Sequence, residues 1–351
     1  VYRGKPTRDA FEVTQTAKAL QEIGCSWIPA DEYDYEEVKI PKGLVARKVN
    51  ISKLLRDYDA MVCVPVLHTG EDVWITLAWK LPAMGLLDDE YKFMWHRTDL
   101  SQKLCDVYRY IKGTGKYRLA VTDCLMGAEG GLIIGEPVEL NLIFASDDPL
   151  ASDVTVGHVT GIDLMTECPW GWARLTHFYG LGCGDISKIK TVGNITLEEA
   201  KKIHGPLRFP GYFIDGIFQG VDVIPGGVCT GCYWWARQFL EYSLIEGLLD
   251  EAIEKYGRMC IILGVSPSVP EEPEEIEGLP VVFGDCAIQH CFQHSHGWMW
   301  AIQTSGGPLG ENRTVAGKKT GLGKIGKPVL VFPGCPPLAG KSLWRKLKEI
   351  L

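Results

Sequence analysis

The sequence has no long apolar run and no excess of basic residues. No stretch is apolar for the roughly 20 residues that a membrane-spanning helix needs, and the longest uncharged run, residues 286–310, is rich in His, Gln, Ser and Gly. Lysine and arginine number 36 against 44 aspartate and glutamate residues, giving a net charge of -8. Proteins that bind mainly nucleic acid need a basic face. We therefore expect no membrane segment and no nucleic-acid partner.

A secretory signal is also lacking at the start of the sequence, Val1. Twelve cysteines in a chain of 351 residues without such a signal argue against a disulfide scaffold. Thiols that stay reduced indicate a reducing compartment. We expect a cytoplasmic protein and an anaerobic setting.

The chain is long enough for two domains with real cores, since 46% of its residues are hydrophobic and 23% charged. Strand patterns alternate with helix patterns, which is typical of an α/β protein with mainly parallel or mixed sheets in two lobes. We place the domains at residues 1–205 and 206–351. Helices are predicted over residues 8–23, 100–111, 150–160, 197–204, 232–256 and 340–351, and strands over residues 59–66, 118–122, 139–145, 259–265, 280–283 and 328–332.

Four cysteines in the second domain have spacings that suit a metal cluster. Cys229 and Cys232 form a C-x2-C pair that follows two glycines and opens the long predicted helix, where a helix N-terminus favours a thiolate. Cys286 and Cys335 each follow a predicted strand. Because ligand-binding residues lie at the carboxyl ends of strands in parallel sheets, these segments can converge. Four thiolates are the number that a [4Fe-4S] cluster needs, so we predict that these cysteines hold one.

Other chemistries remain open for the same cysteines. A structural zinc site usually has two compact C-x2-C pairs, and this sequence has one. A redox-active dithiol at Cys229 and Cys232, or inert buried thiols, would leave the two single cysteines without a role. The tract of His290, Cys291, His294 and His296 is either a second metal or acid/base site or a polar covering of the cluster.

The first domain contains a series of short motifs rich in Gly, Asp and Pro. They are residues 119–123, 128–131, 135–137, 145–149, 151–153, 161–163 and 179–182. On these motifs the chain, over about residues 50–205, resembles the family labelled domain of unknown function 362, whose lysine and histidine fall at Lys80 and His96. The resemblance implies a strand, a glycine-rich loop, a second strand and a helix, and this family often occurs with iron–sulfur segments. It implies no general function.

Ionisable residues near the predicted strand ends make the first domain a candidate ligand site. Glycines at 127, 130 and 131 would expose backbone N–H groups, and the helix start at Asp148 adds partial positive charge, so an anionic small molecule is the expected guest. The alternative guest is metal-bridged or cationic, since Asp147 and Asp148 would repel an anion. The alternative is that Asp148 caps its helix and the other residues are solvated. The candidate catalytic residues are Lys80, His96, Asp123, Glu129 and Asp148.

Three functions are compatible with these features. The first is a redox enzyme or electron-transfer component with one cluster, which needs a ferredoxin-like electron partner or a homo-oligomer. The second is a non-redox enzyme of the hydro-lyase type, in which an open cluster iron acts as a Lewis acid. The third is a zinc-stabilised binding module.

Overall fold

The chain forms two compact units, residues 1–210 and 211–351. A computed structural model describes residues 6–70, 73–95, 100–131, 135–168, 171–208, 214, 216–304, 319–320, 323–324, 328–334 and 341–351. Each unit combines a sheet with helices, and one sheet is mixed while the other is parallel. The predicted α/β fold class is therefore confirmed. No helix in these ranges is long and apolar enough to cross a membrane.

The first unit contains nine labelled helices and seven strands among its described residues. The helices are α1 (Thr7–Val13), α2 (Thr16–Glu22), α3 (Leu54–Asp57), α4 (Lys80–Gly85), α5 (Asp89–Trp95), α6 (Leu100–Gly113), α7 (Pro149–Val159), α8 (Trp172–Phe178) and α9 (Leu197–His204). The strands are β1 (Tyr35–Lys39), β2 (Lys48–Ser52), β3 (Met61–Cys63), β4 (Val66–Gly70), β5 (Trp74–Thr76), β6 (Tyr117–Glu129) and β7 (Glu136–Ser146).

The long strand β6 is the centre of the five-stranded sheet in the first unit. It pairs in parallel with β3 and then β4 on one side, and in antiparallel fashion with β7 on the other. Alternate residues of β6 and β7 are buried against α7 and the rest of the core. Residues with the opposite parity lie on an outer face, where Met126 of β6 is 59% exposed and Ile143 of β7 is 61% exposed. The sheet is therefore packed on one face.

The second unit is built on a four-stranded parallel sheet. Its strands are β8 (Val221–Gly226), β9 (Met259–Gly264), β10 (Leu279–Phe283), β11 (Lys319–Thr320), β12 (Gly323–Lys324) and β13 (Leu330–Phe332). Its helices are α10 (Thr230–Ile245), α11 (Leu248–Tyr256), α12 (Asp285–His294), α13 (His296–Thr304) and α14 (Lys341–Lys348). The parallel strands lie in the order β13, β10, β9, β8, and β11 and β12 form a separate antiparallel pair.

Both faces of the parallel sheet are covered, which explains why β9 and β10 are apolar and buried at every position. On one face Val282 packs with Ile288 of α12 and Trp298 of α13. On the other, the ring centroids of Phe283 and Phe239 of α10 lie 6.4 Å apart. Helices on two faces leave the carboxyl edge of the sheet open to ligands, as in other parallel α/β sheets.

Two of the predicted helices are each broken into a pair. The helix predicted over residues 8–23 is interrupted at Gln15, which has a positive φ of 59°. The helix predicted over residues 232–256 ends at Ile245 and restarts after Gly247, which has a φ of 73°. Apolar spacing continued across both breaks, so periodicity could not locate them.

Candidate functional site

Three of the four predicted cluster ligands lie beyond the carboxyl ends of parallel strands. Cys229 follows β8 and is the N-cap residue of α10, and Cys232 lies in the first turn of that helix. Cys286 follows β10 and lies in the first turn of α12. Because β8 and β10 run parallel, these cysteines share one edge of the sheet. Cys335 lies outside the described residues.

The start of each of these two helices has no side-chain cap. No side-chain hydrogen bond caps α10 at Cys229 or α12 at Gly284. The first N–H groups of a helix otherwise need a partner, and their aligned dipoles favour negative charge. The thiols of Cys229 and Cys286, both exposed, therefore stand where an anionic group is stabilised.

Two glycines bring the ends of β8 and β9 into contact just before Cys229. A Cβ atom at Gly226 would lie 2.1 Å from the backbone N of Pro267, and one at Gly264 would lie 2.2 Å from the carbonyl O of Gly226. Gly264 also has a φ of 99°, which L side chains rarely adopt. The backbones can touch here because both residues lack a side chain.

Asp285 joins the segment of Cys286 to the segment that leads into Cys335. Its backbone N–H donates to the carbonyl O of Gly334 at 3.1 Å, and its Oδ1 accepts from the N–H of Gly334 at 2.7 Å. Gly334 is the residue before Cys335. The reciprocal bonds hold the ends of β10 and β13 side by side.

The described cysteines share an edge without forming a closed set of ligands. Within the described ranges, no three His, Cys, Asp or Glu side chains lie close enough to hold one metal ion. The fit of a cluster therefore rests on donor type, on the common edge and on the uncapped helix starts. Cys291 does not share this edge, because it is buried in the core. Burial also raises the pKa of its thiol to about 12, which disfavours the thiolate that a metal needs.

The histidines of the tract lie on two helices, with half-buried His290 and exposed His294 on α12 and His296 at the start of α13. Cys286, His290 and His294 are spaced four residues apart and share one face, as a helix requires. The rings of His290 and His294 stack with centroids 5.8 Å apart. His296 begins α13 and is also exposed.

In the first unit, Asp148 caps the start of α7. Its Oδ1 accepts from the N–H groups of Leu150 and Ala151 at the start of α7, at 3.0 and 3.1 Å. Its Oδ2 accepts from the N–H of Cys183 at 2.7 Å. Both carboxylate oxygens are thus engaged, and Asp148 is the N-cap that the alternative interpretation described.

Glu129 also makes a structural ion pair. It is 8% exposed and accepts from the backbone N and the Nε of Arg208, each at 2.8 Å. These bonds lower the pKa of Glu129 against the opposing effect of partial burial. Arg208 also pairs with Glu136, so Glu129 ties the end of β6 to the segment after α9.

The remaining candidates are dispersed. Asp123 lies in β6 between Val66 and Ile143, with Oδ1 accepting from the N–H of Leu125 at 2.9 Å. Lys80 is buried at the first residue of α4, and His96 lies outside the described residues. The predicted glycine-rich loop begins later than expected, because β6 continues to Glu129 and includes Gly127, whereas Gly130 and Gly131 follow the strand.

The order of β6, β7 and α7 is the strand–strand–helix series that the sequence motifs implied. Residues 2–157 match the family described as domain of unknown function (DUF362). The predicted resemblance to DUF362 is confirmed, and the match begins and ends earlier than the motifs suggested. No curated protein and no solved structure matches the chain.

Within the DUF362 match, Asp148→Ala is expected to lower the free energy of unfolding by about 2–3 kcal/mol. The change removes an N-cap and leaves the N–H of Cys183 without its acceptor. Urea unfolding measures the loss. Asp147→Ala is the control, since Asp147 is exposed and its replacement should change stability by less than about 0.5 kcal/mol. Equal stability of the two variants would contradict the assignment of Asp148 as a cap.

Sequence reasoning missed two polar groups near the cysteines. Asp285 joins two strand ends, and the only signal was its place between a strand and Cys286. Arg237 and Glu241 form an ion pair inside α10 with an Nε to Oε1 distance of 2.9 Å and almost no exposure. Their spacing of four residues signalled a pair, but not its burial.

Proposed function

We propose that the second unit holds a [4Fe-4S] cluster through Cys229, Cys232, Cys286 and Cys335, and that the protein is a redox enzyme or electron-transfer component. The observation that supports this most is the delivery of three described cysteines to one sheet edge at two uncapped helix starts. When bound, a cluster of this kind accepts and donates single electrons.

The residues of the chain would serve the cluster in separate ways. Cys229, Cys232, Cys286 and Cys335 would supply the thiolates. The first turns of α10 and α12 would direct N–H groups toward the negative charge of the ligands. Asp285 would keep the Cys286 segment beside the residue before Cys335.

The proposal extends to location and partners. A reducing, cytoplasmic setting suits twelve cysteines in this chain. A protein with one redox centre needs a donor and an acceptor, so we propose a ferredoxin-like partner or a homo-oligomer, and a small-molecule substrate of unknown identity.

Cysteine variants on one helix provide the test. After anaerobic purification, the wild-type protein should contain about four iron and four sulfide per chain, as this cluster type requires. Cys286→Ala should lose most of both, whereas Cys291→Ala on the same helix should retain them because Cys291 is buried in the core. Iron, sulfide and zinc analysis measures the outcome.

Three results would contradict the proposal or a part of it. Zinc without sulfide would favour the binding module. A cluster that shows no one-electron change in paramagnetic signal on reduction would favour the Lewis-acid enzyme. Full iron and sulfide in Cys286→Ala would remove that residue from the ligand set.

A further inference from the structure

Strand β7 has one edge without a partner strand. It pairs with β6 along one side, and no other strand in the described part of the chain pairs with it. A bulge at Asn141, with a φ of 56°, separates the acidic first half from residues 142–146, which carry no charge. Natural sheet edges are usually blunted by charges or proline. Residues 142–146 have neither.

The backbone groups of Ile143 and Ala145 point away from the sheet. The N–H of Asp123 donates to the carbonyl O of Pro65 at 2.8 Å, so the polar backbone groups of Asp123 face β4. Its partner in β7, Ile143, therefore belongs to a non-hydrogen-bonded pair, and so does Ala145 two residues on. No backbone hydrogen bond outside the strand ladders joins either residue to the rest of the described chain.

A cavity of about 200 Å³ runs along this same edge. All residues from Leu142 to Ser146 line it, although their side chains alternate between the two faces of the sheet. The cavity must therefore follow the backbone edge of β7. Its second wall is the segment 189–197, and Ser152 and Thr155 of α7 close its inner side.

We propose that this groove binds an extended peptide segment of a partner protein, which pairs with residues 142–146 as an added strand. The outward N–H and C=O groups supply the pairing, as in other cases of strand addition. The sheet of a second copy would have to displace the segment 189–197, which lines the same cavity as residues 142–146. A single strand needs only the 4.7–4.9 Å spacing of neighbouring strands.

The lining also defines the chemistry of the segment. Lys190 is the one charged residue among the described residues that line the cavity. The rest of this lining is uncharged, so further charges on the peptide would lose solvation without gaining a counter-charge. One carboxylate opposite Lys190 would be paired. The partner segment is thus an extended run of uncharged residues with a single acidic side chain or a chain end.

A displayed library of short random peptides, selected on the complete 351-residue protein, tests the groove. Enriched peptides should share uncharged residues with one carboxylate. A synthetic copy of the enriched sequence should bind Ala145→Pro about tenfold more weakly, the equivalent of one lost backbone hydrogen bond. Proline is tolerated at a sheet edge, and circular dichroism checks that the variant folds.

A charge pair provides the second measurement. Lys190→Glu should weaken binding of the same peptide, whereas Lys202→Glu, an exposed lysine of α9 outside the cavity, should not. Amide exchange at residues 142–146 should slow when the peptide is bound. No enrichment, equal binding by Ala145→Pro and Lys190→Glu, or self-association through β7 without peptide binding would each overturn the proposal.

Discussion

Replacing Glu241 with alanine is expected to lower the free energy of unfolding of the second unit by about 3–5 kcal/mol. Glu241 is fully buried in α10 and accepts from Arg237 Nε at 2.9 Å and from Gln238 Nε2 at 3.2 Å. Removing its carboxylate leaves the guanidinium of Arg237 buried without this counter-charge. Denaturant unfolding followed by tryptophan fluorescence measures the loss.

The control lies at the end of the same helix. Glu246 is exposed, and Glu246→Ala should change stability by less than about 0.5 kcal/mol. A double replacement, Arg237→Met with Glu241→Leu, should be less harmful than Glu241→Ala, because it removes both buried charges. If Glu241→Ala were as stable as Glu246→Ala, the ion pair would have no part in holding α10 in the unit.

Asp153→Asn is expected to alter how the stability of the protein depends on pH. Asp153 is buried in α7, and its two oxygens accept from the N–H groups of Ala78 and Trp79, each at 3.0 Å. Burial raises its pKa to about 8, against the opposing effect of these two bonds. The folded protein therefore keeps a proton that the unfolded chain releases at about pH 4.

The direction of the pH dependence follows from the difference between the pKa of Asp153 in the folded protein and in the unfolded chain. The contribution of Asp153 is fully present below about pH 4 and is lost as the pH rises through about 8, with a total near 6 kcal/mol at 1.36 kcal/mol per pKa unit. Asparagine does not titrate but satisfies one N–H fewer, which costs about 1–3 kcal/mol at low pH. Wild type should therefore lose about 1.4 kcal/mol of stability per pH unit relative to Asp153→Asn between pH 5 and pH 8, and the variant should be the more stable protein at pH 8.

Urea unfolding from pH 5 to pH 8 measures this change in the difference in unfolding free energy between wild type and Asp153→Asn. Asp147→Asn is the control, since Asp147 is exposed. Other titrating groups affect both proteins equally and cancel in the difference. A constant difference between wild type and Asp153→Asn across this range would show that the carboxyl group does not change its protonation on unfolding.

Local signals predicted three of the four strands in the parallel sheet of the second unit. Apolar runs bounded by Pro and Gly gave β9, β10 and β13, and their parallel pairing followed from the alternation with helices. In the first unit, Thr196 followed three residues later by Glu199 is the pattern of a capping box, and the structure has one at the start of α9. These features depend on residues close in sequence, so one chain is enough to find them.

Tertiary contacts decided the features that the sequence did not predict. The apolar composition of residues 59–66 favours a buried strand, yet Val62 and Val64 are exposed. The acidic, proline-containing composition of residues 266–278 is typical of a mobile loop, but Val269 and Ile276 are buried and Trp298 donates to the carbonyl O of Pro270 at 2.7 Å. The composition of a segment does not show which other part of the chain packs against it.

In the candidate site too, some features were predicted from the sequence and others depend on tertiary contacts. The place of Cys286 after a strand was predicted from the sequence, whereas β8, which precedes Cys229 and Cys232, was not. The structural contacts of Glu129 with Arg208, 79 residues away, could not be read from spacing. The ligand-binding roles of the cysteines and of Lys80, His96 and Asp123 stay predictions.

The contact between Gly226 and Gly264 determines where Cys229 lies at the end of the sheet. Because neither residue has a side chain, nothing separates the two strand ends, and Cys229 begins its helix three residues later. A methyl group at Gly264 would meet the carbonyl O of Gly226, and one at Gly226 would meet the backbone of Ser266 and Pro267, so either change would displace the end of β8 and Cys229 with it. Two residues without side chains therefore set how closely the Cys229 segment approaches β9 and the loop after it.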